Sequence, residues 1–188
     1  MIIWIVGCSS SGKSTINYSV VKGLGVGYRN KKHSISFYSF NDIITVGRYA
    51  RPGRLLNGTD GIMKGKEKLK KFIRLEYKNW RHILLEGTKF VNEEMFNFVI
   101  QYDLKIFYIN PPTHIILERS KERNNAWDNI TTWKKRLSEK KKYDKIVNNE
   151  KYKKYIEVRE NLNMEQSKNI SNEIIKIMNP KLTGGLPI

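Results

Sequence analysis

Residues 1–14 read MIIWIVGCSSSGKS and carry the clearest structural signal in the chain. Residues 1–6 form a continuous apolar run rich in Ile, typical of a central parallel strand that is covered on both faces. Residues 7–14 fit the pattern G-x-x-x-x-G-K-[ST], and residues 13–22 then carry helical spacing up to Gly23 and Gly25. The sequence therefore predicts a strand, a glycine-containing loop and a helix in direct succession, which is the structural context that this motif requires.

The loop predicted at 7–14 has the chemistry of a phosphate-binding site. Its glycines allow backbone N–H groups to wrap a phosphate, and the N-terminus of the following helix adds positive potential. Lys13 reaches the terminal phosphates, and the Ser14 hydroxyl can ligate Mg²⁺. The alternative, a chance glycine-serine turn, does not account for the flanking strand and helix. The predicted phosphate-binding residues are Gly7, Ser9, Ser10, Ser11, Gly12, Lys13, Ser14 and Thr15.

The length and the net charge limit the classes of protein to which the chain can belong. The 188 residues fit a single domain, 1–188, with its own hydrophobic core. Lys and Arg total 35 against 18 Asp and Glu, a formal charge of +17, while 39% hydrophobic residues exclude a disordered basic tail. Such a charge favours a polyanionic partner, which is nucleic acid, an acidic membrane surface or a phosphorylated ligand.

The number of cysteines and the lengths of the apolar runs indicate the cellular compartment. Cys8 is the only cysteine, which excludes an internal disulfide and a structural zinc site and is consistent with a reducing compartment. No apolar run reaches the roughly 18 residues of a membrane-spanning helix. We therefore expect a soluble cytoplasmic protein with no membrane association, and we infer no obligate protein partner.

Alternating strand and helix patterns continue along the chain. Asn41 and Asp42 suit a two-residue turn between strands at 34–40 and 43–49, and an irregular loop is expected at 50–61. Further strands are predicted at 82–85 and 104–109, and helices at 64–80, 92–102, 113–123, 130–148, 151–162 and 165–178, with Asn92 as a helix cap. These patterns predict a three-layer α/β/α fold with a mainly parallel sheet, a β-hairpin insertion and a helical C-terminal region.

Two carboxylates are candidates for catalysis. Glu86 directly follows the strand at 82–85, so it lies at the sheet edge where α/β proteins bind ligands, and it can orient Mg²⁺ or assist an attacking hydroxyl. Asp60, in a glycine-flanked loop, can accept a proton from a hydroxyl. Each has an alternative: Glu86 as a strand-end acid facing solvent and Asp60 as an ordinary turn residue. Asp42 is a weaker candidate because the hairpin turn explains it.

Cations beyond Lys13 form two groups. Arg119 and Arg123 are four residues apart on one helix face and can stabilise charge on a phosphoryl group, or they simply face solvent. Residues 134–154 contain ten Lys or Arg and three acids, interleaved with tyrosines that can contact bases. A solubilising helix surface explains this run equally well. Residues 123–155 are a candidate lid or basic helical region.

Five sequence features together resemble the phage 5-hydroxymethyluracil DNA kinase family of P-loop kinases. They are GCSSSGKS at 7–14, VGRY at 46–49, GTDG at 58–61, LLEG at 84–87 and the Arg119 and Arg123 pair. They span most of residues 1–136. The phosphate loop is specific for nucleotide binding but does not identify the substrate. The ordered set VGRY, GTDG and LLEG is what narrows the resemblance from P-loop kinases in general to this family.

The resemblance implies a P-loop kinase-type fold and ATP- and Mg²⁺-dependent phosphorylation of the hydroxymethyl group of 5-hydroxymethyluracil in DNA, in the host cytoplasm. The catalytic residues would be Lys13, Asp60, Glu86, Arg119 and Arg123, with Ser14 and Glu86 at the metal. Either Asp60 or Glu86 would take the proton of the acceptor hydroxyl. Two alternatives stay open: a kinase for a free nucleoside, nucleotide or polynucleotide end, and a nucleotide-gated nucleic-acid-binding protein without transfer.

Overall fold

A seven-stranded sheet forms the middle layer of the computed structural model. The structure describes residues 1–47, 58–62, 65–123 and 130–180, with side chains for all of these except 123 and 130–132. The strands are β1 Ile2–Val6, β2 Tyr28–Lys32, β3 Ile35–Phe40, β4 Ile43–Val46, β5 His82–Glu86, β6 Leu104–Ile109 and β7 Ile156–Arg159. Their order is β2-β3-β4-β5-β1-β6-β7; the last five strands are parallel to one another, and β3 pairs antiparallel with both of its neighbours, β2 and β4.

Helices cover both faces of the sheet. They are α1 Lys13–Gly23, α2 Lys66–Glu76, α3 Glu93–Val99, α4 Thr113–Arg123, α5 Ile130–Val147, α6 Glu150–Lys153 and α7 Met164–Met178. Because neighbouring residues of a strand point to opposite faces, β1 feeds two cores. Ile3 and Ile5 pack with α1 and α7, whereas Ile2 and Trp4 pack with α2, α3 and α5. The predicted three layers are confirmed, and no described helix is long and apolar enough to cross a membrane.

The parallel strands bring the loop after β1 and the end of β5 to the same edge. Ile5 lies opposite Glu86 on β5, and Val6 lies opposite Tyr108 on β6. The chain therefore leaves β1 beside the Glu86 carboxylate, at the edge where α/β sheets bind ligands.

The predicted hairpin is confirmed, and its second strand belongs to the main sheet. Phe40 pairs with Ile43 across a turn of Asn41 and Asp42, and β4 also pairs in parallel with β5. Of the predicted loop at 50–61, residues 58–61 form a 3₁₀ turn and the rest lies outside the described residues. The helix predicted at 64–80 is α2, followed by a 3₁₀ turn at Tyr77–Asn79.

One predicted helix is wrong, and two strands, β7 and β2, were not predicted. The helix at 151–162 is limited to α6, and Ile156–Arg159 forms β7, a partly exposed edge strand without the continuous apolar run that marks a central one. All five residues of β2 are exposed. Its turn to β3 uses His33 and Ser34 at φ 50 and 63, a backbone conformation that these residue types rarely signal.

A buried carboxylate fastens the β2–β3 turn to α2. Glu76 is 1% exposed. Around it lie Lys32 Nζ at 2.7 Å, His33 Nε2 at 3.0 Å, and Asn79 Nδ2 and Trp80 Nε1 at 3.2 Å each. Burial raises the pKa of Glu76, but the hydrogen bonds outweigh it and lower the pKa to about 2 from a usual 4.5.

We expect Glu76→Gln to lower the free energy of unfolding by about 2 kcal/mol at pH 7. Because the folded pKa of Glu76 is depressed, its stabilisation is complete above about pH 4.5 and is lost as the pH falls towards 2. Urea denaturation from pH 7 to 3 should therefore show the deficit shrinking below pH 4.5. Glu67→Gln, at a side chain that is 71% exposed on the same helix, is the control, and its loss of stability should be much smaller than that of Glu76→Gln. A deficit independent of pH contradicts this account.

Candidate active site

The loop between β1 and α1 has the conformation of an anion-binding loop. Ser10 and Gly12 both have positive φ, at 68 and 92. A side chain at Gly12 would also collide with the Asn161 amide, so only glycine fits there. Lys13 is buried and donates from Nζ to the Cys8 carbonyl at 3.2 Å, which folds its ammonium over the loop. The loop therefore has the tight backbone turns and the held cation that the predicted phosphate binding requires, and phosphate binding itself stays a prediction.

Ser14 and Glu86 meet where α1 begins and β5 ends. The Ser14 hydroxyl donates to Glu86 Oε1 at 3.0 Å, and Glu86 is 2% exposed. The pair offers a hydroxyl oxygen and a carboxylate beside the loop. Hard oxygen donors of this kind are the ligands that Mg²⁺ prefers, so the predicted metal residues have the right chemistry.

The turn at 58–61 packs directly on the end of β5. The Thr59 hydroxyl donates to the Glu86 carbonyl at 2.9 Å. Gly58 has φ +41, and a side chain on it would collide with the Glu86 carbonyl and with Oε2. The structure thus brings the GTDG and LLEG motifs together at one place, and a glycine makes the approach possible.

Asp60 holds the turn that follows β5. Its Oδ1 accepts from the backbone N–H groups of Thr88 at 2.8 Å and Lys89 at 2.7 Å. Its Oδ2 accepts from the Thr88 hydroxyl at 3.0 Å. Asp60 is exposed, unlike Glu86, so one carboxylate of the site faces solvent and the other is buried.

The other predicted residues divide by position. Arg119, on α4, donates from Nη1 to the Ser11 carbonyl at 3.3 Å, which places it at the loop. The side chain of Arg123 lies outside the described residues, as does the second half of VGRY, residues 48 and 49. Asp42 lies at the opposite edge of the sheet, where it pairs with Arg81 Nε at 3.0 Å, so it is not part of the site.

Helix α5 contributes contacts that sequence reasoning did not assign. Glu139 Oε2 accepts from the backbone N–H of Ser9 at 3.1 Å, and Arg136 Nη1 lies 3.6 Å from Glu139 Oε1. The Tyr143 hydroxyl donates to the Thr88 carbonyl at 3.1 Å. Positions 136, 139 and 143 recur at helical spacing, so one face of α5 lies on the site. That this region closes as a lid stays a prediction.

Asn161 is a second residue that the sequence did not reveal. It follows β7 and is fully buried. Its Nδ2 donates to the Ser11 carbonyl at 3.0 Å, and its Oδ1 accepts from the Ser167 hydroxyl at 2.7 Å. Its place beside the loop depends on β7 pairing with β6, so the wrong helix prediction for this region hid it.

Burial keeps the thiol and phenols of the site protonated. It raises the pKa of Cys8 to about 11, against the lowering effect of Lys13. Burial also raises the pKa of Tyr108, whose hydroxyl donates to Asp144, and that of Tyr143. At neutral pH these groups act as donors, so the carboxylates are the groups in the site that can accept a proton.

Two solved kinases share this fold. A sugar kinase from Janibacter sp. HTCC2649 is 12% identical over 98% of both chains, with a TM-score of 0.52. Shikimate kinase from Acinetobacter baumannii, solved with shikimate, is 14% identical over 97% of this chain and 95% of that one, with a TM-score of 0.51. No family profile and no curated protein matches the sequence. At these identities the likeness shows the fold, and it confirms the predicted kinase-type α/β architecture.

We expect Asn161→Ala to weaken ATP binding about tenfold and to lower the free energy of unfolding by about 1–2 kcal/mol, because the Ser11 carbonyl loses a buried donor. Ser167→Ala removes the hydroxyl that donates to Asn161 Oδ1 and to the Asn163 carbonyl, and it should weaken ATP binding less than Asn161→Ala does. Calorimetric titration with ATP measures both. Asn30→Ala, on the exposed strand β2, is the control, and unchanged ATP affinity in Asn161→Ala contradicts the role.

Proposed function

We propose that the chain is an ATP-dependent phosphotransferase with an alcohol as acceptor. The observation that carries the proposal is the 3.0 Å contact of the Ser14 hydroxyl with the buried Glu86 carboxylate, on a loop that also holds Lys13. A hydroxyl, a buried acid and a lysine around a cradle of N–H groups are the parts that phosphoryl transfer needs.

The residues divide by role. The N–H groups of Thr15 and Ile16 donate to the Gly12 carbonyl, whereas those of Lys13 and Ser14, which begin α1, can bind phosphate oxygens. Ser14 and Glu86 would hold Mg²⁺, which when bound neutralises charge on the phosphates. Lys13 and Arg119 stand at the loop as cations for the transferred group, and Arg123, one helical turn beyond Arg119, is proposed as a third.

Asp60 is the proposed proton acceptor. Glu86 Oε1 accepts from Ser14, whereas Asp60 is exposed and, within the described part of the chain, its Oδ2 accepts one hydrogen bond, from Thr88. In the transfer, the acceptor oxygen forms a bond to the γ-phosphorus of ATP and the bond from that phosphorus to the β-phosphate oxygen breaks. The hydroxyl proton passes to the Asp60 carboxylate, and ADP leaves.

The proposed acceptor is the hydroxymethyl group of 5-hydroxymethyluracil in DNA, a step in phage DNA hypermodification. The motif resemblance supports it, and so does the placement of charge on α5. While one face of α5 lies on the loop, five lysines of its other face are exposed: Lys134, Lys135, Lys141, Lys142 and Lys145. A basic surface next to the site suits a substrate with a phosphate backbone. We propose that the enzyme acts in the cytoplasm.

Transfer of labelled phosphate from γ-labelled ATP tests the function. We expect label on DNA that contains 5-hydroxymethyluracil, and none on ordinary DNA or free nucleotides. Label on a free nucleotide or on polynucleotide ends instead would favour those acceptors and overturn the DNA-base assignment. Binding of ATP and DNA without any transfer would favour a nucleotide-gated binding protein.

Single substitutions separate the roles. Lys13→Ala should lower transfer at least a hundredfold, because the cation at the transferred group is lost. Glu86→Gln should raise the Mg²⁺ concentration needed for half-maximal rate, since the acid loses its charge at the metal. Asp60→Asn should lower kcat by about a hundredfold or more and leave the Mg²⁺ requirement unchanged. The reverse pattern for the two acids would make Glu86 the base.

The exposed lysines of α5 lead to a prediction about DNA affinity and its dependence on salt. The triple replacement of Lys135, Lys141 and Lys142 by Gln should weaken DNA binding and reduce the slope of log affinity against log salt by up to about 3. The matched control replaces Lys22, Lys168 and Lys176, exposed lysines of α1 and α7 on the other side of the sheet. Equal effects of the two triples in a fluorescence anisotropy titration would show that the net charge, and not α5, binds DNA.

A further inference from the structure

A carboxylate already occupies the phosphate loop. Glu139 Oε2 accepts from the Ser9 N–H at 3.1 Å, although the two residues are 130 positions apart. Ser9 is the third residue of the eight-residue motif, within the stretch whose N–H groups point at a bound phosphate. The oxygen of Glu139 therefore stands where a phosphate oxygen is expected to accept.

The carboxylate is held there by its surroundings. Its side chain is 22% exposed, and Arg136 Nη1 lies 3.6 Å from the other oxygen, Oε1. The half of α5 that follows is fixed to the sheet, because Tyr143 is buried and donates to Thr88, and Asp144 accepts from Tyr108 at 2.7 Å. The contact of Glu139 with Ser9 thus comes from an anchored helix and not from a surface side chain free to swing.

Two anions do not share one N–H donor at hydrogen-bonding distance. A phosphate that enters the loop must displace the Glu139 carboxylate, because like charges in a partly buried site repel strongly. The Nε of Arg136, next to the loop, is buried and has no hydrogen-bond partner among the described residues. It can therefore donate a new hydrogen bond when a phosphate enters the loop.

We propose that Glu139 is a built-in competitor of the nucleotide phosphates, which sets the affinity of the loop by occupying the Ser9 N–H until a phosphate displaces it. This inference rests on the proposed nucleotide-binding function, and it adds a means of setting the nucleotide affinity of the same site. Glu139 takes no part in the transfer itself, and its effect is on binding.

Binding of a non-hydrolysable ATP analogue and of tripolyphosphate, measured by calorimetry at fixed salt, tests the proposal without any transfer. Glu139→Gln and Glu139→Ala should bind both probes about five- to tenfold more tightly than the wild type. Glu139→Asp keeps the charge but is one methylene shorter, so it should also bind more tightly, by about threefold. Glu150→Gln, an exposed acid on α6 with the same change of charge, should differ from the wild type by less than twofold.

Each result separates the possible causes. If Glu139→Gln binds the probes more tightly and Glu139→Asp does not, the effect is long-range charge repulsion and the proposal is overturned. The same holds if Glu150→Gln gains as much affinity as Glu139→Gln. Tighter binding of the analogue without tighter binding of tripolyphosphate would also overturn it, because competition acts on phosphates. If the wild type binds the analogue and no variant gains, the competitor role fails and the proposed function stands. If neither the wild type nor any variant at Glu139 binds either probe, both fail.

Discussion

β1 lies between β5 and β6 and pairs in parallel with both, and the positions of the site residues follow from that pairing. Every residue of β1 is buried, so a shift of one position would exchange its two core faces and is strongly disfavoured. The register therefore fixes where the chain leaves the sheet. Ile5 is held opposite Glu86, and the loop that follows opens beside the only carboxylate that ends a described buried strand.

Each of the two buried carboxylates among the described residues is matched by hydrogen-bond donors. Glu86 accepts from Ser14, and Glu76 is surrounded by four donors, one of them Lys32. An ionised carboxylate without such partners costs several kcal/mol to bury, so each of these acids dictates what lies next to it. At Glu86 the neighbour is a loop suited to phosphate, and at Glu76 it is a hairpin turn. The need of a buried carboxylate for donors thus shapes the candidate site at Glu86 and the packing of a hairpin turn at Glu76.

Much of the fold and part of the site could be predicted from local patterns. Continuous apolar runs marked β1, β5 and β6, and the glycine, lysine and serine spacing marked the loop. The edge strands β2 and β7 were missed because neither has a continuous buried apolar run: β2 is wholly exposed, and β7 is only partly buried. Glu139 and Asn161 escaped because their function lies in a contact over 130 and 150 positions, which no local spacing encodes.

Those two long-range contacts also bear on the order in which the protein is made. The loop at 7–12 is synthesised first, yet its distant partners are Glu139 on α5 and Asn161, two residues after β7. A nascent chain that ends before Asn161 carries the motif without both of these partners. Contacts so distant in sequence are closed late, since loop-closure entropy opposes them. During synthesis the motif is therefore complete long before either contact can form, and the loop gains these partners only when nearly the whole chain is available.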